Sequence, residues 1–448
     1  MAKNVDMTQG NPVKLIVWFM FPLILNYLFQ QFYAVADSAI VALALGSTVS
    51  TGVNLTGTLS FLVLGFSQGC SGGFGVILSQ FVGEKNEDKQ RKSFATSIFL
   101  TIAISLVLTI VSTIFAEELL VLLQTNVIYL EYSLEYIYAV FAGIVFTMFY
   151  NLATQVLFAF GDSKSPLIIL IVSAGLNILL NCLLFVTDWS VAWAGWATVI
   201  AQGVASIVGF VLIFKKIPAL RLKKSDFKVD ARFVFKHLGM GIPMAFQFSI
   251  TAIGCMIQQR AFNLLEPQYA MAQSTGSKIS GLFDSGVLQA FGTAIGTYFG
   301  QNYGAKKVER VREGVKKGLL VGFVTAILSC LLVVAFAYPL SSILLPDAPK
   351  QIYDSVFYYE LVHGANYGFL MLVYLFRHAL QGVGKSLTAA MGGVVELIAR
   401  FVCSISLARI SFEFACFSNP TAWLTAGLFL MVAFFIYLKK IKKTLTYN

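Results

Sequence analysis

The sequence predicts an all-α integral membrane protein: twelve transmembrane helices in two six-helix bundles, related by a pseudo-two-fold axis along the membrane normal. Three observations predict it. Of 448 residues, 57% are hydrophobic and only 12% are charged, about half the charge that covers a water-soluble domain. The apolar residues fall into twelve stretches, each close to or above the roughly 20 residues that a helical span requires. The two halves of the chain repeat each other at a fixed offset.

Each stretch is read as a helix because irregular backbone in lipid would leave N–H and C=O groups unpaired. The first, 13–43, follows a short opening segment of mixed polarity and is too long for the apolar core of a signal peptide. The second, 50–81, ends at the basic run Lys85, Lys89, Arg91 and Lys92, which separates it from 94–116. Stretch 130–159 is divided from 165–187 by a loop carrying Lys164, and 191–214 ends at Lys215 and Lys216. The second half runs 236–264, 270–301, 315–338, 352–381, 386–411 and 420–438. Its basic punctuation is Lys306, Lys307, Arg310, Arg312, Lys316 and Lys317, then Arg377 and Lys385, then Lys439, Lys440, Lys442 and Lys443. Stretches above the minimum length imply tilt or protrusion.

With the amino terminus inside, all but five of the 32 lysines and arginines fall on the cytoplasmic side, the exceptions being Arg260, Lys278, Lys350, Arg400 and Arg409. That asymmetry places both termini in the cytoplasm. The net charge of +10 is therefore a topology signal rather than a nucleic-acid footprint. The longest polar connection, 215–235, reads as a linker between a bundle over 1–214 and a second over 236–448. Its lysines and arginines read as a positive-inside loop, with an anionic lipid headgroup as the alternative role.

The repeat is ungapped: Pro22 falls on Pro243; Gln80, Gly83, Lys85 and Arg91 on Gln301, Gly304, Lys306 and Arg312; Gly161, Lys164 and Ser165 on Gly382, Lys385 and Ser386. Six helices return the chain to its starting side, so the repeats are parallel, an architecture that transporters use for alternating access. In the shared Gln-x-x-Gly-x-Lys motif, the glycine is expected to end its helix in the left-handed conformation.

Several chemistries are not expected. The six cysteines form no CxxC pair and the three histidines share no ligand spacing. No GxxxxGK[ST] loop and no clustered catalytic set is present, so neither ATP as driver nor an enzyme activity is expected, and no cofactor. A receptor or scaffold would be expected to carry a sizeable soluble domain, and twelve spans leave little chain for one.

Asp37 stands inside the first stretch. A carboxylate at bilayer depth costs about 2.5–3.5 kcal/mol on insertion scales, and persists when paired, hydrated or functional. Its repeat mate is Gln258, so the charge exists in one half only. Asn177 and Asn181, four apart, share a helix face, and their amide oxygens could complete a sodium shell or hydrogen-bond a protonated Asp37. Glu396 and Arg400 have the spacing of an ion pair. Lys278 and Asp284, six apart, need other partners; with Gln258 they are the candidate cavity residues. Glu360, nearer the end of its stretch, reads as interfacial. The aromatic residues are candidates for stacking and cation–π contact with flat cations.

Pro22 with Gln30-Gln31, Tyr33, Asp37 and Gly46, the run Gly161-Asp162-Ser163-Lys164-Ser165-Pro166, and Gln301-Asn302-Tyr303-Gly304-Ala305-Lys306-Lys307 together resemble the multidrug and toxic compound extrusion (MATE) family over essentially the whole chain. The resemblance implies a monomeric exporter of small organic, often cationic, compounds in the cell membrane of a bacterium, driven by inward flow of H+ or Na+. It implies that Asp37 is the coupling residue, with Thr198 on the sixth stretch and Tyr136 on the fourth near the same site. Many members carry Asn-x-x-x-Asp where this chain has Asn177 and Asn181; the missing charge puts strong Na+ binding at Asp37, Asn177 and Asn181 in doubt and favours protons. The helix-seven glutamate of some relatives is absent from Pro243–Thr251. The wider superfamily keeps a flippase for a lipid-linked oligosaccharide or cell-wall precursor as the alternative.

Overall fold

The computed structural model describes residues 5–185, 190–228 and 230–446, with side chains left out at 285 and 441–446. Lys3, the end of the fifth stretch at 186–187, and the side chains of Lys442 and Lys443 lie outside the described residues. Among the described residues every regular element is helical.

The first half contains α1 (Pro12–Leu45), α2 (Ser47–Leu55), α3 (Gly57–Glu84), α4 (Glu87–Ile114), α5 (Ala116–Leu122), α6 (Val127–Ala142), α7 (Ile144–Ala159), α8 (Lys164–Asn181) and α9 (Ala192–Lys216). The second contains α10 (Ala231–Phe262), α11 (Pro267–Phe283), α12 (Gln289–Gly304), α13 (Val308–Leu344), α14 (Lys350–Ala365), α15 (Tyr367–Gly382), α16 (Ser386–Ala408), α17 (Phe412–Ala415) and α18 (Ser418–Thr446). Several expected single helices are therefore pairs. α2 and α3 break at Thr56, α6 and α7 at Gly143, α14 and α15 at Asn366, and a π-helical turn, Asp284–Leu288, joins α11 to α12.

By length and composition, nine of the described helices could each cross a membrane, or ten if α6 and α7, bent by 54°, form one span. The two expected stretches outside that set are α11–α12 and α14–α15. Each is interrupted, and each turns polar side chains inward: Gln273, Thr275 and Ser280 on α11, Glu360 and His363 on α14 are all buried. Elsewhere the outward surface is apolar. Leu106, Val107 and Ile110 on α4 are 56–60% exposed, and Leu328 and Leu331 on α13 are 54% and 62% exposed. Contiguous apolar surface of this kind faces lipid rather than water.

Two compact units emerge: Met1–Val5 with Leu28–Ser249, and Asp6–Tyr27 with Ile250–Asn448. They differ from the expected 1–214 and 236–448 halves because the opening parts of α1 and α10 are exchanged. In the first unit α10 can join because Gly69 and Gly73 of α3 let it approach. A Cβ on Gly69 would stand 2.5 Å from the Ala245 Cα, and one on Gly73 2.5 Å from the Gly241 Cα. Small residues at this spacing allow helix backbones to touch. In the second unit Phe299, Phe376 and Phe434 are fully buried, with ring centroids 5.7 and 5.8 Å from Phe434.

The repeat is visible in the backbone, with one correction. Lys85 and Lys306 adopt φ of 58° and 57°, so the lysine, not Gly83 or Gly304, takes the left-handed position that ends the helix. The glycines are still helical, and Asn86 then caps α4 by accepting from Lys89 N at 3.0 Å. Pro22 and Pro243 both sit inside long helices.

The loop before α8 is held by Asp162. Its Oδ1 accepts from the backbone N–H of Lys164 and Ser165 at 3.1 and 2.9 Å, and its Oδ2 from Ser165 Oγ at 2.6 Å and Lys216 Nζ at 3.0 Å. Burial by itself would raise this carboxyl; the Ser165 hydroxyl and amide and the Lys216 ammonium outweigh it and hold it below its usual value. Because the native value is depressed, the stabilisation is present above the unfolded value of about 3.9 and is lost as pH falls through the native one. Asp162→Ala is expected to cost about 1–2 kcal/mol at neutral pH. The melting difference from wild type should narrow once pH falls below about 4; a difference constant from pH 7 to 3 would remove the carboxylate from this role.

Candidate functional site

In the first unit four helices deliver polar groups to one place. Asn177 and Asn181 are fully buried on α8, one turn apart, while Asp37 on α1 is half-buried. Asn181 Nδ2 donates to Asp37 Oδ1 at 2.6 Å and to Asn177 Oδ1 at 3.0 Å. Asn177 Nδ2 donates to Thr198 Oγ1 on α9 at 3.1 Å, and the Thr198 hydroxyl donates back to the Ala194 carbonyl at 3.2 Å. Tyr136 on α6 and Tyr33 on α1 stand close to Thr198 and Asp37. Asn181 Oδ1 is buried with no partner. Among the described residues no lysine or arginine pairs with Asp37.

Four of the five residues named for ion coupling, Asp37, Asn181, Asn177 and Thr198, thus form one hydrogen-bonded network, with Tyr136 beside it. Tyr33 stands near them; it lies one turn before Asp37, so the i, i+4 rule applied to Asp37 would have found it. The arrangement offers a half-exposed carboxylate, one unspent amide oxygen, and hydroxyls from threonine and tyrosine. Such a set can accept a proton at the carboxylate or present oxygens to a hard monovalent cation. Among the described residues no group of three or more His, Cys, Asp or Glu could hold a metal ion, so a cation here would rest on one carboxylate and neutral oxygens.

The three candidate cavity residues behave differently. Gln258 is buried on α10 and donates to Ser418 Oγ at 3.4 Å. Lys278 is exposed on α11, and Asp284 opens the π-helical turn, half-buried.

Two readings of buried charge are corrected in the second unit. Glu396 does pair with Arg400, Nη2 to Oε1 at 2.6 Å, but Arg377 of α15 holds the other oxygen at the same distance. Arg377 is 8% exposed and is therefore not a cytoplasmic loop cation. Nor is Glu360 interfacial. It is fully buried, its Oε2 accepting from Ser280 Oγ at 2.7 Å while its Oε1 has no partner. One turn on, His363 lies with its ring centroid 3.9 Å from that of Tyr359, and its Nε2 is unpartnered. The i, i+3 spacing of Glu360 and His363 was the available signal for this cluster.

The MatE family profile matches residues 22–183 and 243–407, which include most of both halves. The chain belongs to the MatE family. Among curated proteins it is similar to the probable multidrug resistance protein YpnP of Bacillus subtilis, 29% identical over 257 residues. It is also similar to YoeA of the same organism, 26% over 243 residues, and to the multidrug export protein MepA of Staphylococcus aureus, 23% over 244 residues. The chain spans about half the length of the curated relatives it matches: 57%, 52% and 54% of theirs, and the same shares of its own. Among solved structures, a MATE in the bent conformation aligns with a TM-score of 0.90 over 100% of both chains at 16% identity. A MATE-family multidrug resistance transporter in an outward-facing conformation gives 0.89 over 99% of each. A transporter of the wider superfamily from Pyrococcus furiosus gives 0.90, also over 99% of each. These likenesses give the MATE fold, twelve helices in two bundles, to this all-helical chain.

Proposed function

We propose that this MatE-family protein is a secondary active multidrug efflux transporter. It exports small organic, often cationic, compounds in exchange for H+ or Na+ by alternating access. The observation that carries the reading is Asp37: a carboxylate within a membrane helix, held by Asn181 and free of any basic partner among the described residues. A carboxylate there persists because a mobile cation neutralises it in part of the cycle.

The Asp37 carboxylate takes the cation in the outward-open state, with Asn177, Asn181 and Thr198 fixing its orientation. Loading neutralises the charge, repacks α1 against α8 and α9, and weakens substrate binding. Inward release resets the site. The cation can drive the cycle only by binding one state more tightly than the other. In this scheme the bundles over 1–214 and 236–448, with the opening parts of α1 and α10 exchanged, are the moving bodies and 215–235 the connection between them. The protein acts as a monomer in the bacterial plasma membrane with both termini in the cytoplasm, as the basic-residue asymmetry supports.

Dye efflux from everted vesicles under separately imposed H+ and Na+ gradients tests this. One gradient should drive efflux, and efflux indifferent to both would overturn the antiport reading. Asn181→Asp adds a carboxylate beside Asp37. Half-maximal Na+ for efflux should fall about tenfold, about 1.4 kcal/mol of added attraction; unchanged Na+ dependence would remove Asn181 from the ion path. The flippase reading needs many unspent internal cations for a diphosphate; Arg377 and Arg400 share the Glu396 carboxylate, which leaves their one excess charge and the exposed Lys278.

A further inference from the structure

Within the first unit, a cavity of about 390 Å³ lies between the start of α4 and the segment preceding α10, lined by Arg91, Lys92, Lys223 and Lys228 among others. Its acids are already engaged. Asp88 accepts from Arg91 Nη2. Asp226 accepts from the Lys223 N–H at 2.7 Å and faces Arg91. Asp230 accepts from the Arg232 N–H at 2.9 Å, at the entrance to α10. Lys92, Lys223 and Lys228 are exposed and make no ion pair among the described residues. Arg91 is 9% exposed, and its buried Nε has no hydrogen-bond acceptor, the Asp226 carboxylate standing at 3.5 Å.

Three lysines outside any ion pair among the described residues thus line one cavity together with Arg91, whose Nε faces Asp226 without a hydrogen bond. That donor set matches a phosphate oxygen cluster, which accepts charge-assisted bonds from both residue types. The apolar side of the cavity is Phe233, stacked on Phe81 at 5.6 Å. Phe227 and Phe235, neighbours in sequence of the lining residues, are 53% and 73% exposed, as suits a surface lying against lipid.

We propose that this cavity binds a phosphate group, presented by an anionic phospholipid headgroup or by free phosphate, and that the bound anion fastens the inter-bundle linker at Lys223 and Lys228 to α4 at Arg91 and Lys92. The site is independent of the transport reading, since it is tested by binding rather than by export. Full-length protein in detergent would be titrated with phosphatidylglycerol, phosphatidylcholine and inorganic phosphate, read by melting temperature and by native mass spectrometry.

Phosphatidylglycerol should stabilise and be retained, whereas phosphatidylcholine should do neither. The double variant Lys223→Gln/Lys228→Gln should bind roughly 10–30-fold more weakly while melting at the wild-type temperature without ligand, because both side chains are exposed. Lys92→Gln, on α4 rather than the linker, provides an independent check. Inorganic phosphate reproducing the effect, and losing it in the variants, would assign the site to the free anion. Equal affinity of wild type and variants for phosphatidylglycerol and phosphate, or no binding of either, overturns the proposal.

Discussion

Asp37→Asn is expected to reduce export to the level of cells lacking the protein, at least about a hundredfold, while the purified variant folds as wild type. The amide has the size of the carboxylate and keeps an oxygen for Asn181 Nδ2, which stands 2.6 Å from Asp37 Oδ1. It keeps no charge to neutralise, so the site can no longer distinguish a loaded from an unloaded state. Removing a lone carboxylate from a membrane helix also relieves its burial cost, about 2.5–3.5 kcal/mol on insertion scales, so stability should hold or rise. The measurement pairs a resistance or dye-efflux assay with a melting curve of the same preparation. Full resistance with the variant would take Asp37 out of the mechanism. Loss of both export and folding would recast it as structural glue between α1 and α8.

Glu396→Gln should be the most destabilising of the substitutions considered, by about 3–5 kcal/mol, with expression falling accordingly. Glu396 holds one arginine on each oxygen, Arg377 across helices and Arg400 four residues on, both at 2.6 Å. Neutralising this single carboxylate leaves two buried guanidinium groups without a counter-charge, in surroundings that cannot rehydrate them. The cost comes from the uncompensated charges and their mutual repulsion more than from the lost bonds, so Arg377→Leu/Glu396→Gln, which removes one of the two cations, should recover part of it. Thermal or chemical unfolding of the two variants in one detergent decides the matter. A double variant no more stable than Glu396→Gln alone would show that the carboxylate's role is not to hold the two arginine charges together.

Much of this protein was legible residue by residue. The apolar stretches, the offset linking Pro22 to Pro243, and the i, i+4 pair Asn177 and Asn181 are properties of short windows, and the helical period converts each into geometry. Asp37 was conspicuous because one carboxylate in an apolar run is unfavourable in any arrangement of neighbours. Tyr33 was within reach of the same rule. Arg377 was not: it precedes Glu396 by 19 residues on another helix, and its sequence neighbourhood looks like any basic helix end. Glu360 failed for a related reason, since distance from a predicted helix end says nothing about which face of α14 meets Ser280.

Hydropathy and charge order determined that this chain spans a membrane as a duplicated helical bundle, because transfer free energy and helical period act on each residue with little regard for the rest of the chain. Only the packed structure decided where helices break, that Lys85 rather than Gly83 turns the chain left-handed, and which polar groups meet. Those outcomes depend on how each helix rotates against its neighbours and how closely backbones such as those at Gly69 and Ala245 can approach. They are properties of pairs of surfaces, and no single stretch of sequence contains both members.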